Sequence, residues 1–149
     1  MITLTRVNST DKDFQKLVNE LDGELAIRDG KDHSFYHQYN KIDAIKYAVM
    51  AYNAAIPVGC GAIKEYEPGV MEVKRMYVPL DARGKGVATI VLRELEAWAK
   101  ELGYAKCVLE TGKKQPEAIA LYTKNKYVVI PNYGQYKGID NSVCFEKVL

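Results

Sequence analysis

A strand, a glycine loop and an amphipathic helix laid end to end between residues 70 and 103 constrain this chain more than any other feature. Val70 to Val78 reads as a strand, and Arg83-Gly84-Lys85-Gly86-Val87-Ala88 follows it. Ala88, Val91, Leu92, Leu95, Trp98, Ala99 and Leu102 then recur at three- and four-residue spacing, with Gly103 placed to end the helix. Two glycines let the backbone come close to a ligand without Cβ interference. The first amides of the helix have no partner within it and carry the positive end of its dipole. With Arg83 and Lys85 added, the loop suits an anion, above all a pyrophosphate.

Two other glycine loops compete for this pattern. A phosphate-binding loop of the G-x-x-x-x-G-K-[ST] kind is excluded, because Gly30-Lys31, Gly84-Lys85 and Gly112-Lys113 all lack the following Ser or Thr. The dinucleotide fingerprint comes closer, with Thr89 at its third glycine position and Glu110 as a ribose-binding acid. That fingerprint starts directly at the strand end, whereas Pro79-Leu80-Asp81-Ala82-Arg83 intervenes here. Only 39 residues follow Glu110, too few for the rest of a doubly wound sheet. A dinucleotide-binding oxidoreductase is therefore a distant second.

A chain of 149 residues is ordinarily one domain, here read as spanning 1–149, and is long enough to bury a real core. A net charge of +2 is too small to argue for nucleic acid or an anionic membrane surface as a partner. No apolar run reaches membrane-spanning length, and Met1-Ile2-Thr3-Leu4-Thr5-Arg6 lacks a signal-peptide profile. Three cysteines cannot all pair within the chain; buried free thiols fit a reducing cytoplasm.

Around the central unit, Ile2 to Val7 alternates as a half-buried strand. Ser9-Thr10-Asp11 can cap a helix bearing Phe14, Leu17, Val18, Leu21 and Leu25 on one face. Ala44 to Tyr52 and Val58 to Tyr66 predict a hairpin joined by residues 53–57. In the next strand, Met71 and Val73 are apolar at odd positions but Met76 and Val78 at even ones. One extra residue near Lys74-Arg75 would return all four to one face, which predicts a β-bulge there. Lys106 to Glu110 reads as a buried strand in a parallel crossover, Pro116 opens a helix running to Lys124, and Tyr127 to Ile130 and Ser142 to Val148 are closing strands. This order predicts an α+β fold, a mixed sheet with helices on both faces.

Three ordered motifs resemble the GNAT acetyltransferases. Met71 to Val78 is similar to that family's fourth strand, Arg83 to Ala88 to its pyrophosphate loop, and Gln115-Pro116-Glu117-Ala118-Ile119-Ala120-Leu121-Tyr122 to its N-x-x-A-x-x-L-Y helix. Gln115 stands where Asn is common, and Asn125-Lys126-Tyr127 replaces a usual Gly-Phe pair. The resemblance implies a mostly antiparallel mixed sheet with a splayed fourth strand, and acetyl-CoA as co-substrate. Its contacts would fall at Met76, Tyr77, Val78, Arg83, Gly84, Lys85, Gly86, Val87, Ala88 and Gln115. It also implies that Tyr122 protonates the departing thiolate and that Glu72 serves as base or orients the amine. Tyr36, Tyr39, Tyr133 and Tyr136 are candidate walls of an acceptor pocket. His33 and His37, four apart, lack the company of a metal motif, so no metal is expected.

The expected activity is direct transfer of an acetyl group to a primary amine of a small molecule. The alternatives are transfer to a protein lysine or amino terminus, and a non-catalytic CoA-binding module. Members of the family are frequently dimers, which is compatible with a homodimer.

Overall fold

The computed structural model describes residues 1–29 and 45–149. Strand β1 (Ile2–Val7) leads into helix α1 (Lys12–Asp29). Of the three proposed capping residues, Asp11 does the work: its carboxylate accepts from the Phe14 amide at 2.9 Å. Strands β2 (Tyr47–Asn53), β3 (Ile56–Glu67) and β4 (Val70–Tyr77) form a meander. The first hairpin is tighter than the sequence predicts, with only Ala54 and Ala55 in the turn, at φ 50° and 70°. Helix α2 (Val87–Glu101), strand β5 (Lys106–Gly112), helix α3 (Pro116–Lys124) and strands β6 (Val128–Ile130) and β7 (Ser142–Val148) complete the described chain.

All seven strands join one sheet, in the order β1-β2-β3-β4-β5-β7-β6. Only the β4–β5 pair is parallel, as a strand–helix–strand crossover requires. Among the described residues no helix is long and apolar enough to cross a membrane.

The bulge in β4 lies where the change of phase puts it. Ala62 pairs with Lys74 and Cys60 with Tyr77, so two steps on β3 face three on β4. Arg75 absorbs the extra residue at φ 59°, an uncommon conformation for a non-glycine residue. Met71 and Val73 before the bulge, and Met76 and Val78 after it, consequently pack on the same face. That face carries α2 and α3, through Val91, Leu92, Leu95 and Tyr122. The opposite face carries α1, whose Phe14, Leu17 and Val18 cover Ala48, Met50 and Ala62.

Close approach of α2 to the sheet depends on Gly61. A Cβ there would stand 2.8 Å from Leu95 Cδ1 and 2.5 Å from Met76 Sδ, well inside contact distance.

Helix α3 ends without glycine in the position where one is usual. The Tyr127 amide donates to the Tyr122 carbonyl at 3.0 Å and the Lys126 amide to Thr123 at 3.1 Å, which is a Schellman motif. Lys126 therefore takes the left-handed position, φ 73°. We expect Lys126→Gly to stabilise the protein by about 0.5–1 kcal/mol, the usual left-handed penalty of an L-residue. Thermal denaturation checks this, and an unchanged or lowered Tm would overturn it.

Candidate active site

The site exists because the sheet does not close beside β4. β4 and β5 pair only from Val70–Lys106 to Glu72–Val108. Beyond that point the bulge at Arg75 redirects β4, and the two facing strand edges separate. A cleft of about 310 Å³ opens there, lined by Met76, Tyr77 and Val78 on the sheet side. Arg83, Gly84, Gly86 and Val87–Thr89 line its far end, and Gln115, Leu121 and Tyr122 the side of α3.

The far end presents open backbone and uncapped helix amides. Gly84 and Gly86 sit at φ 78° and 80°, and a Cβ on either would meet no heavy atom within 4 Å, so the space beside the loop is open. Gly86 is the N-cap of α2 and no side chain caps that end. The first helical bond runs from the Ile90 amide to the Gly86 carbonyl at 3.2 Å. The amides of Val87, Ala88 and Thr89 therefore precede the hydrogen-bonded ladder, at the positive end of the dipole.

The two cations assigned to this loop differ in placement. Arg83 donates from Nε to the Val78 carbonyl at 2.7 Å and from Nη2 to both Glu24 carboxylate oxygens at 2.8 Å. It ties the loop to β4 and α1 and forms part of the cleft wall. Lys85 is exposed and lies outside the cleft lining.

Tyr122 is 6% exposed and packs edge-on to Tyr127 at 5.7 Å and against Phe145 at 6.0 Å. The Schellman bonds at the end of α3 fix its backbone. No hydrogen bond from a described residue engages its hydroxyl, and the ring lines two cavities at once. Burial first, and Glu110 second, push the phenol above its ordinary value, so it stays protonated.

The second cavity, about 110 Å³, continues past Tyr122 between β4, β5 and α1. Glu72, Lys74, Arg75, Glu110 and Tyr136 line it. Glu72 accepts from the Tyr133 hydroxyl at 2.5 Å and lies 3.5 Å from Lys74 Nζ. Burial lowers the Lys74 ammonium, opposed by Glu72, and burial with Glu72 raises the Tyr133 phenol. Tyr133 thus stands behind the Glu72 carboxylate, outside the cavity lining, while Tyr136 lies on it. Tyr36, Tyr39, His33 and His37 lie outside the described residues.

Sequence reasoning missed the contribution of α1, whose Leu21 and Leu25 line both cavities. It also missed Thr89 in the first turn of α2, a position its own helix-start argument could have supplied, and the place of Glu110 on the wall of the second cavity. Cys60, Cys107 and Cys144 are buried and free, and none lines either cavity. Burial pushes Cys60 and Cys107 up to about 12 and Cys144 up to about 11, so each is a thiol at neutral pH.

A parted sheet with a glycine loop at one end of the gap and a buried tyrosine lining it fits an acyltransferase. The chain belongs to the acetyltransferase (GNAT) family, whose model matches residues 13–127. It is 32% identical to an IAA acetyltransferase of Azospirillum brasilense, over 99% of this chain and 98% of that protein. A crystal structure from Klebsiella pneumoniae subsp. pneumoniae, provisionally named an acyl-CoA N-acyltransferase, superposes with a TM-score of 0.84 at 33% identity, covering 100% of this chain and 98% of that one. A GNAT acetyltransferase from Elizabethkingia anophelis with acetyl-CoA bound shares the fold, at 16% identity and a TM-score of 0.73 over 99% and 98% of the two chains.

Proposed function

We propose that the chain moves an acetyl group from acetyl-CoA directly to a primary amine of a small molecule. One observation carries this reading: Tyr122 stands where the long cleft with the glycine loop meets the smaller cavity. A group entering by the first can there meet a group held in the second.

The residues present fit acetyl-CoA. The amides of Val87, Ala88 and Thr89, with the open loop Gly84–Gly86 beside them, would take the pyrophosphate, and Arg83 keeps that loop in place. The unpaired edge of β4 at Met76 to Val78 offers backbone groups to an amide-bearing arm, and Gln115 borders the same path. Bound there, acetyl-CoA supplies the thioester carbonyl that the amine attacks. The Elizabethkingia anophelis structure with bound acetyl-CoA supports this choice of co-substrate.

Tyr122 donates a hydrogen bond and then its proton to the departing thiolate; burial and Glu110 keep the phenol protonated at neutral pH while making it a weaker acid, so transfer follows the charge developing on sulfur. Glu72 takes the proton lost by the amine nitrogen. Tyr133 and Lys74 hold the carboxylate in position for that task. Buried neutral thiols away from both cavities favour direct transfer over an acyl-cysteine route. A cavity of about 110 Å³ favours a small acceptor, as does the name of the Azospirillum brasilense relative.

The test is release of free CoA from acetyl-CoA across a library of small amines. At least one amine should raise the rate, and Glu72→Gln should lower that rate by about 10²-fold or more, the usual contribution of a positioned base. Acetylation of protein lysines or amino termini, with every small amine inert, would overturn the reading.

A further inference from the structure

We infer that the acceptor is an amino acid, its carboxylate held by Arg75 and its amine directed to the Tyr122 end of the cavity. This rests on the acetyl-transfer reading and names the substrate class of the same site. The argument starts from a residue the proposed chemistry leaves unused. Arg75 lines the small cavity, its side chain is 3% exposed, and among the described residues one acid pairs with it: Nη1 donates to Asp22 Oδ1 at 2.8 Å. Its Nε is buried and has no hydrogen-bond partner. A guanidinium donor left in that state is costly, and native structures seldom keep one without use.

The backbone at Arg75 is independently unusual. The residue occupies the left-handed region, φ 59°, at the bulge that opens the cleft. Glycine or asparagine would take that conformation more readily. A long cation there spends both a strained backbone and an unmatched buried donor at the same position.

The rest of the cavity wall decides the sign of the missing partner. Glu72 is engaged by Tyr133 and Lys74, and Glu110 accepts from Ser142 at 2.7 Å. The carboxylates on the wall are therefore matched, whereas the guanidinium retains an unmatched donor. A planar fork of N–H groups suits a carboxylate better than any neutral acceptor. Glu72, the base of the proposed transfer, stands on the same wall to take the proton the amine loses. A donor for a carboxylate and a base for an amine on one small wall call for an amino acid. At about 110 Å³, and about 30 Å³ per water in the liquid, the cavity has room for roughly four water-sized groups, the scale of the smallest amino acids.

The experiment compares amino acids with their own carboxamides and decarboxylated amines, reading CoA release and, by calorimetry, binding to the wild-type protein. The acid of each pair should exceed its amide by about 10- to 100-fold in kcat/KM, as a charge-assisted contact implies. In Arg75→Asn, which suits the left-handed backbone, that ratio should fall towards one; Asp22→Asn should leave the preference for the acid in place. Equal rates and equal binding for acid and amide in the wild-type protein would overturn the subsite, whatever the variants do. Preference for a phosphorylated amine over the amino acid would overturn it as well. No CoA release from any amine, with the acid still binding more tightly than its amide, would retain the subsite and overturn the transfer reading instead.

Discussion

Replacing Tyr122 by phenylalanine is expected to lower turnover by about 10²- to 10⁴-fold, the range of a well-placed general acid. The ring contacts with Tyr127 and Phe145 survive the change. The hydroxyl gives up no hydrogen bond to a described residue, so the melting temperature should move little. Affinity for acetyl-CoA should stay within about threefold, because the cleft keeps its shape. A tyrosine serving only the core would leave the rate nearly unchanged, and that result would remove Tyr122 from the mechanism. The pH profile adds a second reading. Burial and Glu110 hold the phenol above its ordinary value near 10, so the protonated donor persists as pH rises through 10. An alkaline loss of rate at or below pH 10 that disappears in Tyr122→Phe would contradict this assignment.

Gly86→Val should abolish measurable acetyl-CoA binding, a loss of at least about 100-fold if two charge-assisted hydrogen bonds to amides are removed. A valine cannot comfortably adopt φ 80°, so the N-cap backbone of α2 must rotate and re-aim the amides behind it. Its side chain also enters open space, since no protein heavy atom lies within 4 Å of the added Cβ. That is the room a phosphate would need. Gly69→Val supplies the control. Gly69 has φ 82° and equally open surroundings, but it sits in the β3–β4 turn and lines neither cavity. The two variants should therefore lose similar stability while only the first loses acetyl-CoA in a calorimetric titration. Retained affinity in a folded Gly86→Val protein would refute the assignment of the loop.

Much of the scaffold was legible because its signals are local. The phase change between Val73 and Met76 demanded one extra residue, and Arg75 supplies it. The spacing of Val91, Leu92, Leu95 and Ala99 marked the buried face of α2, and all four are fully buried. Pro116 does open α3. At Lys126 the absence of glycine left the helix end open to question. The structure answers it with hydrogen bonds to Tyr122 and Thr123 that hold a lysine in the left-handed region.

The site was less legible because its walls come from segments far apart in the chain. Arg83 read as a free cation for phosphate, yet Glu24, 59 residues earlier, takes its Nη2. Tyr133 read as an acceptor contact, and it is a hydrogen-bond donor to Glu72 across 61 residues. Neither pairing leaves a trace in local composition, since an acid on α1 and a tyrosine in a polar loop are each ordinary alone.

The sequence by itself determined the repeating elements, the bulge, the glycine loop and the helix carrying Tyr122, because backbone geometry and side-chain periodicity act over a few residues. Tertiary structure decided where β4 and β5 part company, that β7 enters between β5 and β6, and which charges stand matched around the cavity. Those outcomes depend on packing and electrostatics between groups brought together only when the sheet closes over α1 on one face and α2 on the other. Arg75 belongs to both accounts: the sequence marked its bulge, and only the folded cavity left its Nε without a partner.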